Sequence, residues 1–242
     1  MNVMEKGSNT LDENKDNMVT LYITRHGKTM LNASERVQGW ADSPLVEKGV
    51  EVAKNLGNGL KDIHFVAAYS SDSGRAIETA NLVLKYSEQS KLKLVQRKDI
   101  RELNFGIFEG DKNENMQKMI GTVAGVKSAE EFMKLSIEEI VNFIAVADDT
   151  KQSEGWKTFS TRIKRELDKI SEETAKNGGG NVLVVSHGIT ITSLVDMIDS
   201  SKIKLGLENA SVTKILYKDG EYTIESVGDM GYVEKGKESA KV

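Results

Sequence analysis

The feature that most restricts this chain is a repeated switch of hydrophobic period. At 19–23, 65–69 and 181–185, short uncharged runs rich in Val, Leu, Tyr and Phe break off at polar, glycine-bearing turns. Runs of that length and composition read as strands buried on both faces. Apolar residues at helical spacing then follow, at 47–60, 75–86 and 189–198. Strands alternating with helices imply a mostly parallel sheet covered on both sides, a three-layer α/β sandwich. A shorter apolar run at 92–95 adds a strand, and Gly178, Gly179 and Gly180 stop the helix before the strongest one. Near the C-terminus, 212–217 and 222–227 flank Asp219 and Gly220. That dipeptide favours a hairpin because both central positions take positive φ, so the sheet should end in an antiparallel edge.

Residues 114–175 break the alternation: the pattern is helical almost throughout, with no convincing strand. Its first part, about 114–155, is expected to be a helical cap inserted beside the strand ends. Residues 1–17 are polar and aperiodic and are expected to form a disordered arm. Residues 18–233 form one domain, and 234–242 a polar tail. A chain of 242 residues supports one sizeable core.

Composition removes several function classes. The 33 Lys and Arg are scattered among 37 Asp and Glu, for a net charge of −4, and no basic stripe suggests nucleic acid. No apolar run approaches the ~20 residues of a membrane span, and the N-terminus lacks the apolar core of a secretory signal, so a cytoplasmic location is expected. The absence of cysteine rules out disulfides, thiolate metal ligands and a cysteine nucleophile.

Three segments carry chemistry: Arg25, His26 and Gly27; Ser70 through Gly74 to Arg75; and Ser186, His187 and Gly188. Each sits where an expected strand ends. In doubly wound sheets ligands bind outside the carboxyl ends of the strands, so three segments remote in sequence can meet in one crevice. Two of the chain's three histidines fall there, with two arginines whose forked donors suit phosphate oxygens. Taken one at a time, each residue has an ordinary structural reading. Their matching placement points to an anion site. Arginines beside the histidines repel a dication and no carboxylate cluster accompanies them, so neither a metal nor a cofactor is expected. His64 reads as a structural or exposed residue, and Phe105, Phe108, Phe132, Phe143 and Trp156 more as core than as pocket lining.

These residues resemble the histidine phosphatase superfamily, the phosphoglycerate mutase-like group, over about 19–230. The resemblance extends to Asn32 after the first motif, to the loop from Arg36 through Gln38, Gly39, Trp40, Asp42 and Pro44 to Leu45, and to Arg101, Glu102, Leu103, Asn104, Phe105 and Gly106. It implies that His26 is a covalent nucleophile forming a phosphohistidine, and that a backbone carbonyl fixes its tautomer. It implies that Arg25, Arg75 and a protonated His187 surround the phosphoryl group, and that Asn32, Gln38, Gly39 and Gly188 add phosphate or substrate contacts. Glu102 becomes the general acid and base, with its pKa raised by the nearby phosphate.

The family's mutases usually read Arg-His-Gly-x-Ser-x-Trp-Asn, whereas Thr29 and Leu31 replace the serine and tryptophan here. The expectation is a metal-independent phosphomonoester phosphatase acting on a small phosphorylated metabolite or a phosphoprotein. A phosphoglycerate mutase and a non-catalytic phosphate-binding relic are the alternatives. The sequence does not specify an oligomeric state.

Overall fold

The computed structural model describes residues 17–240. The strands are β1 (Val19–Arg25), β2 (Phe65–Ser70), β3 (Leu94–Gln96), β4 (Gly180–Ser186), β5 (Val212–Lys218) and β6 (Glu221–Asp229). They form one sheet in the order β3-β2-β4-β1-β5-β6. Pairing is parallel from β3 to β1 and antiparallel through β5 and β6. Asp219 and Gly220 turn the last hairpin with φ of 52° and 87°.

The helices are α1 (Met30–Ala33), α2 (Glu47–Gly59), α3 (Gly74–Tyr86), α4 (Asn113–Ala124), α5 (Ala129–Phe132), α6 (Ile137–Ala147), α7 (Trp156–Lys176), α8 (Gly188–Ile198) and α9 (Gly231–Ser239). Alternation along β1 and β4 builds both outer layers. Leu21, Ile23, Val182 and Val184 pack with Ile163 and Leu167 of α7 and Ile191 and Leu194 of α8. Tyr22, Leu183 and Val185 face the opposite way, onto Leu56 of α2, Ala76, Ala80 and Val83 of α3 and Val233 of α9. Strands shielded on both faces have no polar side to alternate, which explains their continuous apolar runs.

Between β3 and β4 lie α4 to α7. Phe105 and Phe108 are buried in the core cluster, and Phe132, Phe143 and Trp156 pack against it. No helix among the described residues is long and apolar enough to cross a membrane.

The expected polar tail from 234 gives way to a helix, α9, through residue 239. Gly236 makes this possible: a Cβ there would lie 1.8 Å from the Asn55 carbonyl oxygen of α2. Backbone contact at this glycine replaces the apolar stripe that a docked helix normally advertises. The arm expected at 1–17 lies, apart from Asn17, outside the described residues.

Candidate active site

Strand register brings the two histidines together. β1 pairs with β4 in parallel, and the last pair is Arg25 with Ser186. The next residue on each strand is therefore a histidine, and the His26 N–H extends the ladder to the Ser186 carbonyl at 3.0 Å. The two rings lie 5.3 Å apart between centroids. On the other side of β4, the Ser71 N–H donates to the Val185 carbonyl at 2.9 Å, delivering the start of α3 and hence Arg75.

His26 is 3% exposed. Its Nδ1 lies 2.8 Å from the Gly27 carbonyl oxygen, so Nδ1 carries the proton and Nε2 keeps a lone pair. Burial pulls its pKa well below the ordinary value, and the charges of Arg75 and Arg25 pull it further; only the Gly27 hydrogen bond opposes them. A ring held neutral with Nε2 bare is a nucleophile rather than a cation.

The protonated state expected for His187 belongs to the phosphate-bound site; without an anion the ring is held differently. The Arg75 guanidinium donates to its Nδ1 at 3.0 Å. Arginine has no acceptor, so Nδ1 accepts and the proton sits on Nε2. The ring is fully buried, and burial, then Arg75, His26 and Arg25, hold its pKa well below the usual range. Without a bound anion the ring is a neutral donor through Nε2.

Arg75 is 1% exposed and is aimed by the loop after α1. It donates to the carbonyls of Ala41 at 3.1 Å and Gly39 at 2.8 Å, and to Asp42 at 2.9 Å. Arg25 donates to the Leu207 carbonyl; burial lowers its pKa, opposed by Glu102. After these contacts, Arg25 Nε, Arg75 Nε and His187 Nε2 are buried with no hydrogen-bond partner. An unsatisfied buried donor costs about 1–3 kcal/mol. Three such donors, on a ring 5.3 Å from that of His26 and on the two arginines whose charges act on it, suit a multiply charged oxyanion.

Glu102 is 6% exposed and lies at the start of α8. Its carboxylate accepts from the N–H groups of Leu103, Ile189 and Thr190, each at 3.0 Å, and from Thr190 Oγ1 at 3.1 Å. Arg101, the neighbour with which it might have paired, instead holds Asp72 through two hydrogen bonds of 2.5 and 2.6 Å.

The remaining expected residues divide. Asn32 turns its Oδ1 to the Thr29 N–H and to Asn209, leaving the amide nitrogen available for an oxyanion. Gly188 opens α8 beside Arg25, 3.5 Å separating that guanidinium from a notional Cβ. Gln38 is engaged within its own loop: its oxygen accepts from Thr29 at 2.6 Å and its nitrogen donates to Ser43 at 3.0 Å. Gly39 contributes its carbonyl to Arg75, and a Cβ there would meet the Leu103 carbonyl oxygen at 2.1 Å.

Sequence reasoning missed three residues. Asn209 donates to the His26 carbonyl at 2.9 Å, and nothing in its neighbourhood signals this. Glu109 gathers the N–H groups of Gly39, Trp40, Ala41 and Phe105 at 2.7–3.0 Å, fixing the loop that aims Arg75. Arg162 sits on the buried face of α7 with Phe159, Ile163 and Leu167. A charge inside an apolar stripe was the one legible clue. No group of three or more His, Cys, Asp or Glu among the described residues is placed to hold a metal ion.

Comparison with known proteins agrees with this arrangement. A crystal structure described as phosphoglycerate mutase from Bacillus anthracis str. Sterne is 72% identical, covers 93% of this chain and 100% of its own, and superposes with a TM-score of 0.91. Bacillus stearothermophilus YhfR is 27% identical with a TM-score of 0.71, covering 89% of this chain and 99% of its own. The probable phosphoglycerate mutase GpmB of Erwinia tasmaniensis is 27% identical over 231 residues, 90% of this chain and 96% of that protein. The sequence profile of the histidine phosphatase superfamily (branch 1) matches residues 21–230, and the chain belongs to that superfamily.

Proposed function

We propose that this enzyme is a phosphatase that hydrolyses small phosphomonoesters through a phosphohistidine on His26. The observation that carries the reading is the set of partnerless buried donors around His26, from Arg25, Arg75 and His187. Phosphoryl transfer spreads charge over three equatorial oxygens, and catalysis there is mainly positioning and electrostatics.

In the first step His26 Nε2 bonds to phosphorus and the ester P–O bond breaks. Glu102 gives a proton to the departing oxygen. The substrate enters as the phosphate monoanion, and its proton passes through Glu102 to the alcohol. In the second step Glu102 takes a proton from water as the water oxygen bonds to phosphorus. The P–N bond breaks, the proton joins the phosphate, and neutral His26 returns. General acid–base help of this kind gives typically about 10²–10⁴-fold.

The charges beside the cradle favour hydrolysis over mutase chemistry. Arg101 and Arg162, the further guanidinium groups beside Glu102, are each committed bidentately to a carboxylate, Asp72 and Glu154. Neither offers a fork to the carboxylate that phosphoglycerate carries alongside its phosphate. The mutase reading draws on the 72% identity to the Bacillus anthracis protein.

Two assays test the proposal. Enzyme incubated with a ³²P-labelled monoester and quenched in alkaline detergent should carry base-stable, acid-labile label that is absent in His26→Ala; no label in the wild type would refute covalent catalysis. Release of inorganic phosphate from phosphoglycerates should exceed interconversion of the 2- and 3-isomers. The reverse ratio makes the enzyme a mutase.

A further inference from the structure

We infer that Arg162 and Glu154 form a clamp that positions Glu102 for proton transfer, an inference that rests on the acid–base reading of Glu102 above. Glu102 lies on an irregular stretch between β3 and α4, where no strand ladder fixes the backbone. The register of its side chain must come from elsewhere.

Arg162 supplies it. Its two terminal nitrogens donate to the carbonyls of Asp99, Arg101 and Glu102, each at 2.8 Å. Its Nε and one terminal nitrogen donate to the two carboxylate oxygens of Glu154, each at 2.7 Å. A guanidinium has five N–H donors, and all five are used: two on the partly buried carboxylate of Glu154, three on the main chain of the four residues that end at the acid. Lysine carries the same charge but presents three donors from one point and cannot reproduce this fork.

Glu154 extends the clamp past the acid. Its carboxylate also accepts from the Asn104 N–H at 3.0 Å, and its own N–H donates to the Asn104 carbonyl at 3.0 Å. The backbone is thus gripped on both sides of Glu102, while the carboxylate is received by the first turn of α8. The same stretch is tied to α7 independently, by Arg97 to Glu166 and Glu173 and by Arg165 to Asp99. Loss of Arg162 therefore leaves the segment attached to α7, and leaves the carbonyls of Arg101 and Glu102 with one donor each, Thr190 Oγ1 at 2.9 Å and Trp40 Nε1 at 3.1 Å, too few to fix the backbone at the acid.

A structural clamp and a positioning clamp differ in leaving-group dependence. kcat/KM reports steps only up to phosphoenzyme formation, where Glu102 protonates the departing oxygen. p-Nitrophenyl phosphate expels a stable phenolate and needs little protonation, whereas glycerol 2-phosphate expels an alkoxide and needs it fully. A displacement of about 1 Å costs on the order of 100-fold in a catalytic step. Arg162→Lys and Glu154→Gln should each lower kcat/KM for glycerol 2-phosphate about ten- to a hundred-fold more than for p-nitrophenyl phosphate. Glu102→Gln should show the same selectivity, and adding Arg162→Lys to it should bring no further selective loss. Equal losses on both substrates in the single variants, with Glu102→Gln still selective, overturn the clamp. If Glu102→Gln shows no selectivity, the acid–base reading itself falls and the clamp with it. Thermal melting accompanies each variant; should Arg162→Lys fail to fold, Glu154→Gln, which keeps the side-chain shape, decides the question by the same comparison.

Discussion

Two neutral imidazoles buried among guanidinium groups make the fold sensitive to acid in a calculable way. His26 is 3% and His187 0% exposed, and burial followed by the neighbouring arginines holds both pKa values well below 6.5. The folded state therefore binds fewer protons than the unfolded state once the pH falls under 6.5, and stability declines with acidification through that window. An unfolded histidine of pKa 6.5 gains about 1.4 kcal/mol by protonation at pH 5.5 and about 0.2 kcal/mol at pH 7. For two histidines the difference is at most about 2.5 kcal/mol, or up to about 5–10 °C in Tm for a chain of this size. Other groups titrate as well: burial raises the Glu166 carboxyl, which opposes the loss. The measurement is therefore the Tm change between pH 7 and 5.5 in the wild type minus that in a His26→Asn, His187→Asn double variant. Saturating inorganic phosphate should restore most of the lost stability in the wild type alone, because the anion pairs with the imidazolium forms. Equal acid losses in the two proteins would refute the assignment of neutral, buried rings.

Three further outcomes follow from the network around the site. Glu109→Ala strips one carboxylate from four backbone N–H groups, so the loop carrying Gly39 to Asp42 should loosen; chemical denaturation should show a loss of about 2–4 kcal/mol, and KM should rise because Arg75 loses its aim. Asp148 is buried and accepts from Ile107, Thr150, Gln152 and Ser153; burial raises its pKa, but these donors outweigh it and hold the carboxyl well below its ordinary range. That contribution is complete above pH about 4 and is lost as pH falls further, so Asp148→Asn should unfold at lower denaturant at neutral pH yet lose less between pH 4 and 2. Incubation with a chelator, followed by assay without added metal, should leave turnover unchanged; loss restored by a divalent ion would overturn the metal-free mechanism.

The centre of the sheet was readable because β1 and β4 have no solvent side. Leu21, Tyr22, Ile23, Val182, Leu183, Val184 and Val185 are all at most 4% exposed, and uninterrupted apolar runs in a chain of alternating period admit few other folds. Helix α9 was hidden for the converse reason. Of its nine residues only Val233 and Gly236 are buried, and a glycine that docks by backbone proximity leaves no periodic mark. Boundaries moved by one or two residues, as at β3, read as 92–95 and found at Leu94–Gln96, where hydrogen bonding to β2 rather than composition sets the ends.

At the site the division is between groups that face a ligand and groups that hold them. Arg25, His26, Arg75 and His187 were legible because strand ends concentrate ligand-facing chemistry at predictable places. Glu109, Arg162 and Asn209 were far less so, since a polar or charged residue satisfied by distant backbone looks in sequence like any solvated one. Glu109 meets Gly39 across seventy positions, and Arg162 meets Glu102 across sixty. The state of His187 without a bound anion was equally unreadable. A phosphate dianion argues for the imidazolium, but before any anion arrives the ring is governed by the Arg75 guanidinium that donates to its Nδ1. The ring is therefore committed as a donor through Nε2 in advance, and so are the Nε groups of both arginines. Donors that have already given up water need no reorganisation when charge develops on the phosphoryl oxygens. The cost of leaving them unpaired is borne in folding, and the carboxylates and carbonyls that hold the other ends of these side chains are what make that cost tolerable.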